Sequence, residues 1–197
     1  QGKCGSCWTF SAVASIETLI GIKNHPMIAL SEQELVDCEK KSAGCNGGHY
    51  DNAFAYVSTN GITSGQKYPY KAEKGQCHQM EKVAKISSYK KVPRDNEKQL
   101  QLIVAQQVVS VAIKSKSRDF QFYRWGIYNG GCGKKLDHAM NIVGYGSDGP
   151  SDYWIVRNSW GTRWGDKGYI KIPRNSQGQS QGYCGIATMA SYPVVSV

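Results

Sequence analysis

The first eight residues, Gln1 to Trp8, put the strongest constraint on what this chain can fold into. They read Gln-Gly-Lys-Cys-Gly-Ser-Cys-Trp and run into a segment whose apolar residues recur at helical spacing: Trp8, Phe10, Val13, Ile16, Leu19 and Ile20. This pattern predicts a buried helix that carries Cys7 in its first turn and ends near Gly21 to Asn24. A helix N-terminus has partial positive charge and unpaired N–H groups, which lower the pKa of a cysteine placed there. The stretch is therefore suited to a nucleophilic thiol.

The spacing of Cys4 and Cys7 also fits half of a zinc site, or one arm of a disulfide scaffold. A closed zinc site needs a second pair of ligands at similar spacing. The sequence has no such pair, because its four histidines are far apart: His25, His49, His78 and His138. We therefore expect neither a metal nor a cofactor.

The chain has seven cysteines, which is an odd number. Three disulfides and one remaining thiol is the simplest interpretation, and it indicates an oxidising or secretory route. Six cysteines allow 15 pairings, so the spacing alone does not decide the connectivity.

Length and charge exclude several classes of protein. A chain of 197 residues can form one sizeable core or two small lobes. The net charge of +9 is spread along the chain, without the basic stripe of a nucleic-acid binder. No apolar run approaches the roughly 20 residues that span a bilayer, and no signal peptide opens the sequence. We expect no nucleic-acid partner and no membrane insertion, and any targeting segment would already have been removed.

The first half of the chain reads as mainly helical. Ser31 and Glu34 form a capping box, with the serine as N-cap and the glutamate reaching back, ahead of a short helix that ends near Cys38. A tight glycine-rich loop follows at Gly44 to Gly48, and Tyr50 to Val57 reads as a third helix closed by Asn60-Gly61.

The second half is rich in β-forming residues. One more helix is predicted over Asn96 to Gln107, followed by four strands at 109–113, 138–145, 153–156 and 168–172. Glycine-rich turns are predicted at Gly130-Gly131 and from Gly144 to Gly149. Helices first and strands second indicate an α+β fold of two lobes, and a cleft between lobes is the usual place for a site.

A nucleophilic cysteine needs a base, a group that orients the base, and donors for the developing oxyanion. His138 opens a predicted strand and is the candidate base. Asn158 directly follows another strand and is the candidate orienting group. Gln1 offers a side-chain amide shortly before Cys4 and is a candidate donor.

The sequence resembles the papain family of cysteine proteases. The segment Cys4-Gly5-Ser6-Cys7-Trp8 fits the family's signature around its nucleophile, and His138 and Asn158 follow at the family's spacing. Further family-like segments extend from Ser31–Cys38 to Tyr183–Ile186, so the resemblance covers the chain from end to end.

The resemblance implies a two-lobed papain-like fold with an active-site cleft between the lobes. Residues 1–91 would form a mainly helical lobe to which the tail 192–197 returns, and residues 92–191 would form an antiparallel β-barrel. Cys7 would be the nucleophile and His138 its acid–base partner. Asn158 would orient the histidine, with Trp160 shielding that contact from water, while Gln1 and the Cys7 backbone N–H would form the oxyanion hole.

The same resemblance implies the disulfides Cys4–Cys45, Cys38–Cys77 and Cys132–Cys184. It also implies a set of substrate-binding residues, in which Gly47 and Gly48 pair with the substrate main chain: Gly47, Gly48, Tyr50, Ala112, Leu136, Asp137, Ala139, Trp160 and Met189. Most side chains lining the pocket for the second residue before the scissile bond are apolar, and no acid is expected near Met189. We therefore expect a preference for bulky apolar side chains there, and poor acceptance of Arg.

The function implied is that of a plant-type endopeptidase made as a zymogen, secreted or held in a vacuolar or lysosome-like compartment. Its expected partners are polypeptide substrates and inhibitors of the cystatin or pro-segment type, and a monomer is expected. Two alternatives stay open. A storage or defence protein on the same scaffold usually has a replaced nucleophile, whereas Cys7, His138 and Asn158 are all present. An exopeptidase needs a segment that blocks one end of the cleft, and we find no such insertion.

Overall fold

The computed structural model describes residues 1–23, 26–176, 178 and 180–195. The chain separates into two compact units. Unit 1 consists of Gln1–Lys90 together with Ser191–Val197, and unit 2 consists of Lys91–Ala190. Residues 196 and 197 of the predicted returning tail lie outside the described residues. Across the described ranges, no helix combines the length and the apolar character needed to cross a membrane.

Unit 1 is built on three helices: α1 (Cys7–Ile22), α2 (Glu32–Cys38) and α3 (Tyr50–Asn60). A 3₁₀ turn at Gly44–Asn46 separates α2 from α3. Helix α1 packs against both α2 and α3. Their facing side chains are fully buried, among them Trp8, Ile16, Leu35 and Phe54, and this burial is the main source of helix stability in a unit of this kind.

The predicted opening helix is confirmed, since α1 begins at Cys7 and ends at Ile22. Asn24, the last residue of the predicted range, lies outside the described residues. The end of α3 is also as predicted, because Gly61 follows it with a φ of +74°, a left-handed conformation that glycine adopts without strain.

The predicted capping box at the start of α2 is only half right. The Ser31 hydroxyl accepts a hydrogen bond from the Glu34 N–H at 2.9 Å, as an N-cap should. The Ser31 N–H, however, donates to the Thr63 carbonyl, and the Glu34 carboxylate accepts from the Thr63 N–H. Glu34 is wholly buried and also bonds Tyr56 and Lys82, so tertiary contacts replace the reciprocal half of the box.

Unit 2 contains an antiparallel sheet with the order β2–β3–β4–β5. Its strands are β2 (Val109–Ile113), β3 (His138–Asp148), β4 (Ser151–Arg157) and β5 (Tyr169–Pro173), preceded by α4 (Glu97–Val104) and with the short α5 (Arg118–Gln121) between β2 and β3. The antiparallel sheet is confirmed. The term barrel fits only loosely, because β5 is at the end of the sheet, with β4 as its one neighbour among the named strands, and the sheet is not closed.

Several predicted boundaries in unit 2 are wrong. The segment Gly144 to Asp148 is strand, with a register shift between Ile142 and Gly144, and the turn is confined to Gly149 and Pro150. Helix α4 ends at Val104, three residues before the predicted Gln107, and Asn96 is its N-cap. Two strands and one short helix were not predicted: α5, β1 (Ser88–Lys91) and β6 (Ala190–Val194). Strands β1 and β6 lie where the chain passes between the units.

Three disulfides are formed, and they are the three pairs that the family resemblance implied. Cys4–Cys45 and Cys38–Cys77 are in unit 1, and Cys132–Cys184 is in unit 2. Cys7 keeps its thiol.

Candidate active site

Cys7 is the first residue of α1, and its side chain is half-buried. Ser6, directly before it, is the N-cap residue. This position puts the thiol at the positive end of a helix of sixteen residues. The unpaired N–H groups and the dipole of such a terminus favour a thiolate over a thiol.

The loop before Cys7 is tied to the loop before α3. Besides the Cys4–Cys45 disulfide, the Gly5 N–H donates to the Cys45 carbonyl at 2.7 Å. A Cβ atom on Gly5 would lie 2.5 Å from that carbonyl oxygen, so only glycine fits. The backbone leading to Cys7 is therefore fixed by a covalent and a hydrogen-bonded contact.

Gln1 is oriented from both its side chain and its backbone. Its Nε2 donates to the Cys4 carbonyl at 3.0 Å, and its own carbonyl accepts from the Tyr70 hydroxyl at 2.7 Å. The Tyr70 hydroxyl oxygen also lies 2.5 Å from the Ser6 hydroxyl oxygen. The sequence analysis did not identify Tyr70 as a partner of Gln1.

In unit 2, His138 and Asn158 are hydrogen-bonded. His138 is the first residue of β3 and Asn158 directly follows β4; strands β3 and β4 are antiparallel neighbours, which brings the two side chains together. The His138 Nε2 lies 2.7 Å from the Asn158 Oδ1, and both residues are buried. The Asn158 Oδ1 also accepts from the Ser159 N–H at 2.8 Å.

An indole ring lies against the His138 imidazole. The ring centroids of His138 and Trp160 are 4.7 Å apart, with 30° between the planes, and Trp160 in turn packs edge-on against Phe120 and Trp164. Burial lowers the pKa of His138 below its usual value, while the hydrogen bond to Asn158 and the charge of Asp137 act in the opposite direction.

The carboxylate of Asp137, the residue before His138, is held by Ser115. The Ser115 N–H and hydroxyl both donate to Asp137 Oδ1, at 2.9 and 2.8 Å. The Asp137 N–H donates to the Ile113 carbonyl, which continues the pairing of β2 with β3 up to the histidine. Sequence reasoning placed Asp137 among the substrate-binding residues and did not identify Ser115 as its partner.

The predicted substrate-binding residues fall into two groups, one in each unit. In unit 2, Ala112 and Ala139 are partners in the β2–β3 register, and the Ala112 N–H donates to the Met189 carbonyl. Leu136 lies against Gly185, which follows the Cys132–Cys184 bridge.

In unit 1, Gly47, Gly48 and Tyr50 lead into α3. A Cβ atom on Gly48 would come within 2.6 Å of the Trp8 ring, whereas one on Gly47 would meet nothing within 4 Å. The main chain at Gly47 is therefore bare on that side. Tyr50 is the first residue of α3 and is buried.

The structure gives no support to the zinc alternative. Cys4 is bonded to Cys45, and a disulfide sulfur is not a thiolate ligand for zinc. Among the described residues, no group of three or more His, Cys, Asp or Glu side chains could hold a metal ion.

Comparison with known proteins identifies the family. The family described as "Papain family cysteine protease" matches residues 1–194. The chain is 52% identical to "Probable cysteine protease RDL6" of Arabidopsis thaliana, over 98% of this chain and 56% of that protein. It spans about half the length of the curated relatives that it matches.

Solved structures of the same fold are also similar. The bromelain protease of Ananas comosus, in complex with the E64 inhibitor, superposes with a TM-score of 0.94 at 43% identity, over 99% of this chain and 91% of that one. The ragweed pollen allergen Amb a 11 in its proform gives a TM-score of 0.94 at 39% identity, over 98% of this chain and 60% of that one. These similarities confirm the predicted α+β, papain-like fold, and the chain belongs to the papain family of cysteine proteases.

Proposed function

We propose that this chain is the catalytic part of a cysteine endopeptidase, in which Cys7 attacks peptide bonds and His138 carries the proton. The observation that carries the proposal is the 2.7 Å contact between His138 Nε2 and Asn158 Oδ1, on a buried imidazole. Family membership and the thiol of Cys7 at the start of α1 support the same reading. The proposal requires Cys7 of unit 1 to meet His138 of unit 2 during catalysis.

The hydrogen bonds of Asn158 identify which nitrogen of His138 exchanges the proton. The Asn158 side-chain atom that accepts from the Ser159 N–H must be the amide oxygen, because an amide nitrogen donates. His138 Nε2 lies beside the same oxygen and must therefore donate to it. Nε2 therefore carries a hydrogen in either protonation state of the ring. In the proposed reaction Nδ1 takes the proton of the Cys7 thiol, giving a thiolate–imidazolium pair.

The reaction then follows the logic of nucleophilic catalysis. The thiolate sulfur forms a bond to the peptide carbonyl carbon, and the carbonyl electrons move to its oxygen. As the tetrahedral intermediate collapses, the C–N bond breaks and His138 Nδ1 gives its proton to the leaving amine. His138 Nδ1 next accepts a proton from water, whose oxygen attacks the thioester carbonyl carbon. The C–S bond then breaks, the acid product leaves, and Cys7 is restored as the thiolate beside protonated His138.

Two donors in unit 1 are proposed to stabilise the oxyanion. The Cys7 backbone N–H, in the first turn of α1, is the first of these donors. The Gln1 side-chain amide is the second donor, and its contact with the Cys4 carbonyl fixes the plane of the amide. Removal of one such donor typically costs about 3 kcal/mol of transition-state stabilisation.

Substrate is proposed to bind along main chain and apolar side chains. The main chain at Gly47, which is bare on one side, and at Gly48 would pair with the substrate main chain. Tyr50, Ala112, Leu136, Ala139 and Met189 would line the pocket for the second residue before the scissile bond, with Asp137 and Trp160 near it. The apolar lining favours a bulky aliphatic or aromatic residue over Arg at that position.

The expected setting of the reaction is an oxidising compartment, and the three disulfides support a secreted or vacuolar protein. Polypeptides are the proposed substrates, and a pro-segment or a cystatin-type protein is the proposed inhibitor. The proform structure of Amb a 11 supports the pro-segment part of this proposal. We propose that the protein acts as a monomer.

The test is to alkylate the non-reduced protein with iodoacetamide at about pH 5.5, where an ordinary thiol is almost wholly protonated and reacts slowly. The adduct is mapped by mass spectrometry while peptide cleavage is assayed in parallel. Rapid labelling of Cys7 alone, with matching loss of cleavage and no cleavage by Cys7→Ser, is the expected result. A protein whose Cys7 reacts no faster than a free thiol after mild reduction, and which cleaves no peptide, would instead be a scaffold protein without this activity.

A further inference from the structure

The Tyr70 hydroxyl connects two points of the loop that leads to Cys7. It donates to the Gln1 carbonyl at 2.7 Å, and its oxygen lies 2.5 Å from the Ser6 hydroxyl oxygen. A hydroxyl has one hydrogen, and that of Tyr70 is used toward Gln1, so the Ser6 hydroxyl must donate to Tyr70. The result is a directed chain of hydrogen bonds from Ser6 through Tyr70 to Gln1.

Each end of this chain of hydrogen bonds lies next to one proposed donor of the oxyanion hole. Ser6 is wholly buried, is the N-cap of α1, and directly precedes Cys7, whose N–H is one proposed donor. Gln1 carries the other proposed donor. Tyr70 comes from a distant part of the sequence, 69 residues after Gln1, and so supplies a restraint that the loop cannot make by itself.

The Tyr70 ring is itself held in place. It packs edge-on against Phe10, with ring centroids 4.9 Å apart and 86° between the planes. Phe10 lies in the first turn of α1, so the ring and the helix that carries Cys7 are in direct contact. Burial raises the pKa of Tyr70, which keeps its hydroxyl protonated and able to donate at neutral pH.

We propose that Tyr70 is a positioning residue for the oxyanion hole, acting through its hydroxyl on Gln1 and Ser6. This inference rests on the proposed function, because it gives Tyr70 a role in the same reaction. Donors act best on a developing oxyanion when they are already in place, and a shift of a fraction of an ångström weakens them. Tyr70 fixes the backbone that carries the Gln1 amide without touching substrate.

The test compares Tyr70→Phe with Tyr68→Phe. Tyr70→Phe keeps the ring that packs on Phe10 and removes the hydroxyl. Tyr68→Phe is the matched control, since the Tyr68 hydroxyl is also hydrogen-bonded within unit 1, donating to the Asp37 carboxylate and accepting from the His78 N–H. Thermal unfolding of both variants is measured alongside their kinetics.

For Tyr70→Phe we expect kcat and kcat/KM on a peptide substrate to fall together, by about five- to tenfold, with KM nearly unchanged. The rate of alkylation of Cys7 by iodoacetamide should stay at the parent value, because alkylation forms no oxyanion. Tyr68→Phe should keep parent kcat and parent alkylation. A structural role alone would not separate peptide cleavage from alkylation.

A double-mutant cycle with Gln1→Ala tests whether Tyr70 affects kcat through Gln1. If Tyr70 acts through Gln1, Tyr70→Phe should lower kcat much less in the Gln1→Ala background than in the parent. Ser6→Ala removes the hydrogen bond between Ser6 and Tyr70 and leaves the Tyr70 ring intact. It should reproduce a part of the loss in kcat, and it replaces Tyr70→Phe as the test variant if Tyr70→Phe folds poorly.

Three results would overturn the inference while leaving the proposed function intact: an unchanged kcat in Tyr70→Phe, an equal loss of alkylation and cleavage, or fully additive effects with Gln1→Ala. These three results count against the inference alone only if the parent protein has a reactive Cys7 and peptidase activity, because the proposed function then holds. A parent without either property overturns the function and the inference together.

Discussion

Asn158 holds the His138 ring through one atom, its Oδ1, at 2.7 Å from His138 Nε2. The other polar atom of the amide, Nδ2, is buried and has no hydrogen-bond partner within the described ranges of the chain. Asn158 therefore acts on the imidazole as an acceptor, and its removal takes away that acceptor together with the bond that the same oxygen accepts from the Ser159 N–H.

Replacement of Asn158 by Ala should lower kcat about 10- to 100-fold with a small effect on KM. The lost bond is one to a group that becomes charged in the reaction, worth about 1.5–3 kcal/mol. Steady-state kinetics on a peptide substrate give both constants. Asn60→Ala removes an exposed side-chain amide that donates to the Tyr56 carbonyl, and it should leave kcat unchanged. Equal losses in the two variants would contradict an orienting role for Asn158.

The protonation of His138 should depend on the charge of Cys7. In Cys7→Ser no thiolate can form, and burial then holds the pKa of His138 below its usual value of about 6.5. The imidazole signals in NMR spectra of this variant should titrate below that value. In the parent, the thiolate should keep the ring protonated to a higher pH. A His138 that titrates alike in both proteins would contradict the proposed ion pair.

The same shift sets the sign of a stability effect in Cys7→Ser. The unfolded chain binds a proton at His138 more readily than the folded chain, because its pKa is higher. The contribution of His138 to stability is therefore complete above about pH 6.5 and is lost as the pH falls toward the lower pKa of the folded state. Urea unfolding of Cys7→Ser at a series of pH values measures this loss, and a His138→Gln/Cys7→Ser double variant should lack that part of it.

The sequence predicted the helices and strands whose pattern lies in neighbouring residues. Helix α1 and strand β2 were predicted within a residue or two, because Trp8, Ile16 and Val109 to Ile113 follow the helical and strand periods closely. The turn predicted from Gly144 was wrong. Gly144 and Gly146 are both paired in the β3–β4 ladder, although glycine has a low preference for strands.

Family motifs named Cys7 and His138 as candidate site residues, and the same resemblance named the three disulfide pairs. Side-chain hydrogen bonds between distant segments outside those motifs were not predicted. The capping box at Ser31 gave no sign that Glu34 would turn to Thr63, and Tyr70 gave no sign that it would reach Gln1. Each of these contacts is made by a side chain whose partner is set by tertiary packing, on which a local pattern carries no information.

The buried charge of Glu34 gives a prediction about stability. Its carboxylate accepts from the Thr63 N–H at 2.7 Å and the Tyr56 hydroxyl at 2.9 Å, and it pairs with Lys82. Lys82→Met should destabilise the protein by about 3 kcal/mol, because it leaves a wholly buried carboxylate without its counter-charge. Lys67→Met breaks the exposed pair with Glu81 and should be nearly neutral, because solvent screens that pair. Urea unfolding of both variants at neutral pH gives the comparison.

The close approach of Gly5 to Cys45 predicts a cost for any side chain at position 5. In Gly5→Ala the new Cβ would lie 2.5 Å from the Cys45 carbonyl oxygen, so the backbone has to move and the hydrogen bond between them lengthens. We expect a loss of about 1–3 kcal/mol in the free energy of unfolding and a fall in kcat, since the same loop carries Gln1. Gly131→Ala, whose Cβ would meet only Asp119 at 3.4 Å, is the control and should be nearly neutral.

The apolar lining proposed for the substrate pocket gives a prediction about specificity. Ala112 and Ala139 are partners in the β2–β3 register, and the Ala112 N–H donates to the Met189 carbonyl. None of these three side chains can pair with a cationic side chain. A carboxylate introduced by Met189→Glu should therefore raise kcat/KM for peptides with Arg at the second position before the scissile bond, relative to Leu, by about tenfold or more. The exposed Met80 in unit 1 provides the control, and Met80→Glu should leave the ratio unchanged. A positional peptide library read by mass spectrometry measures the ratio, and a parent protein that already prefers Arg over Leu and Phe would show that the proposed lining is incorrect.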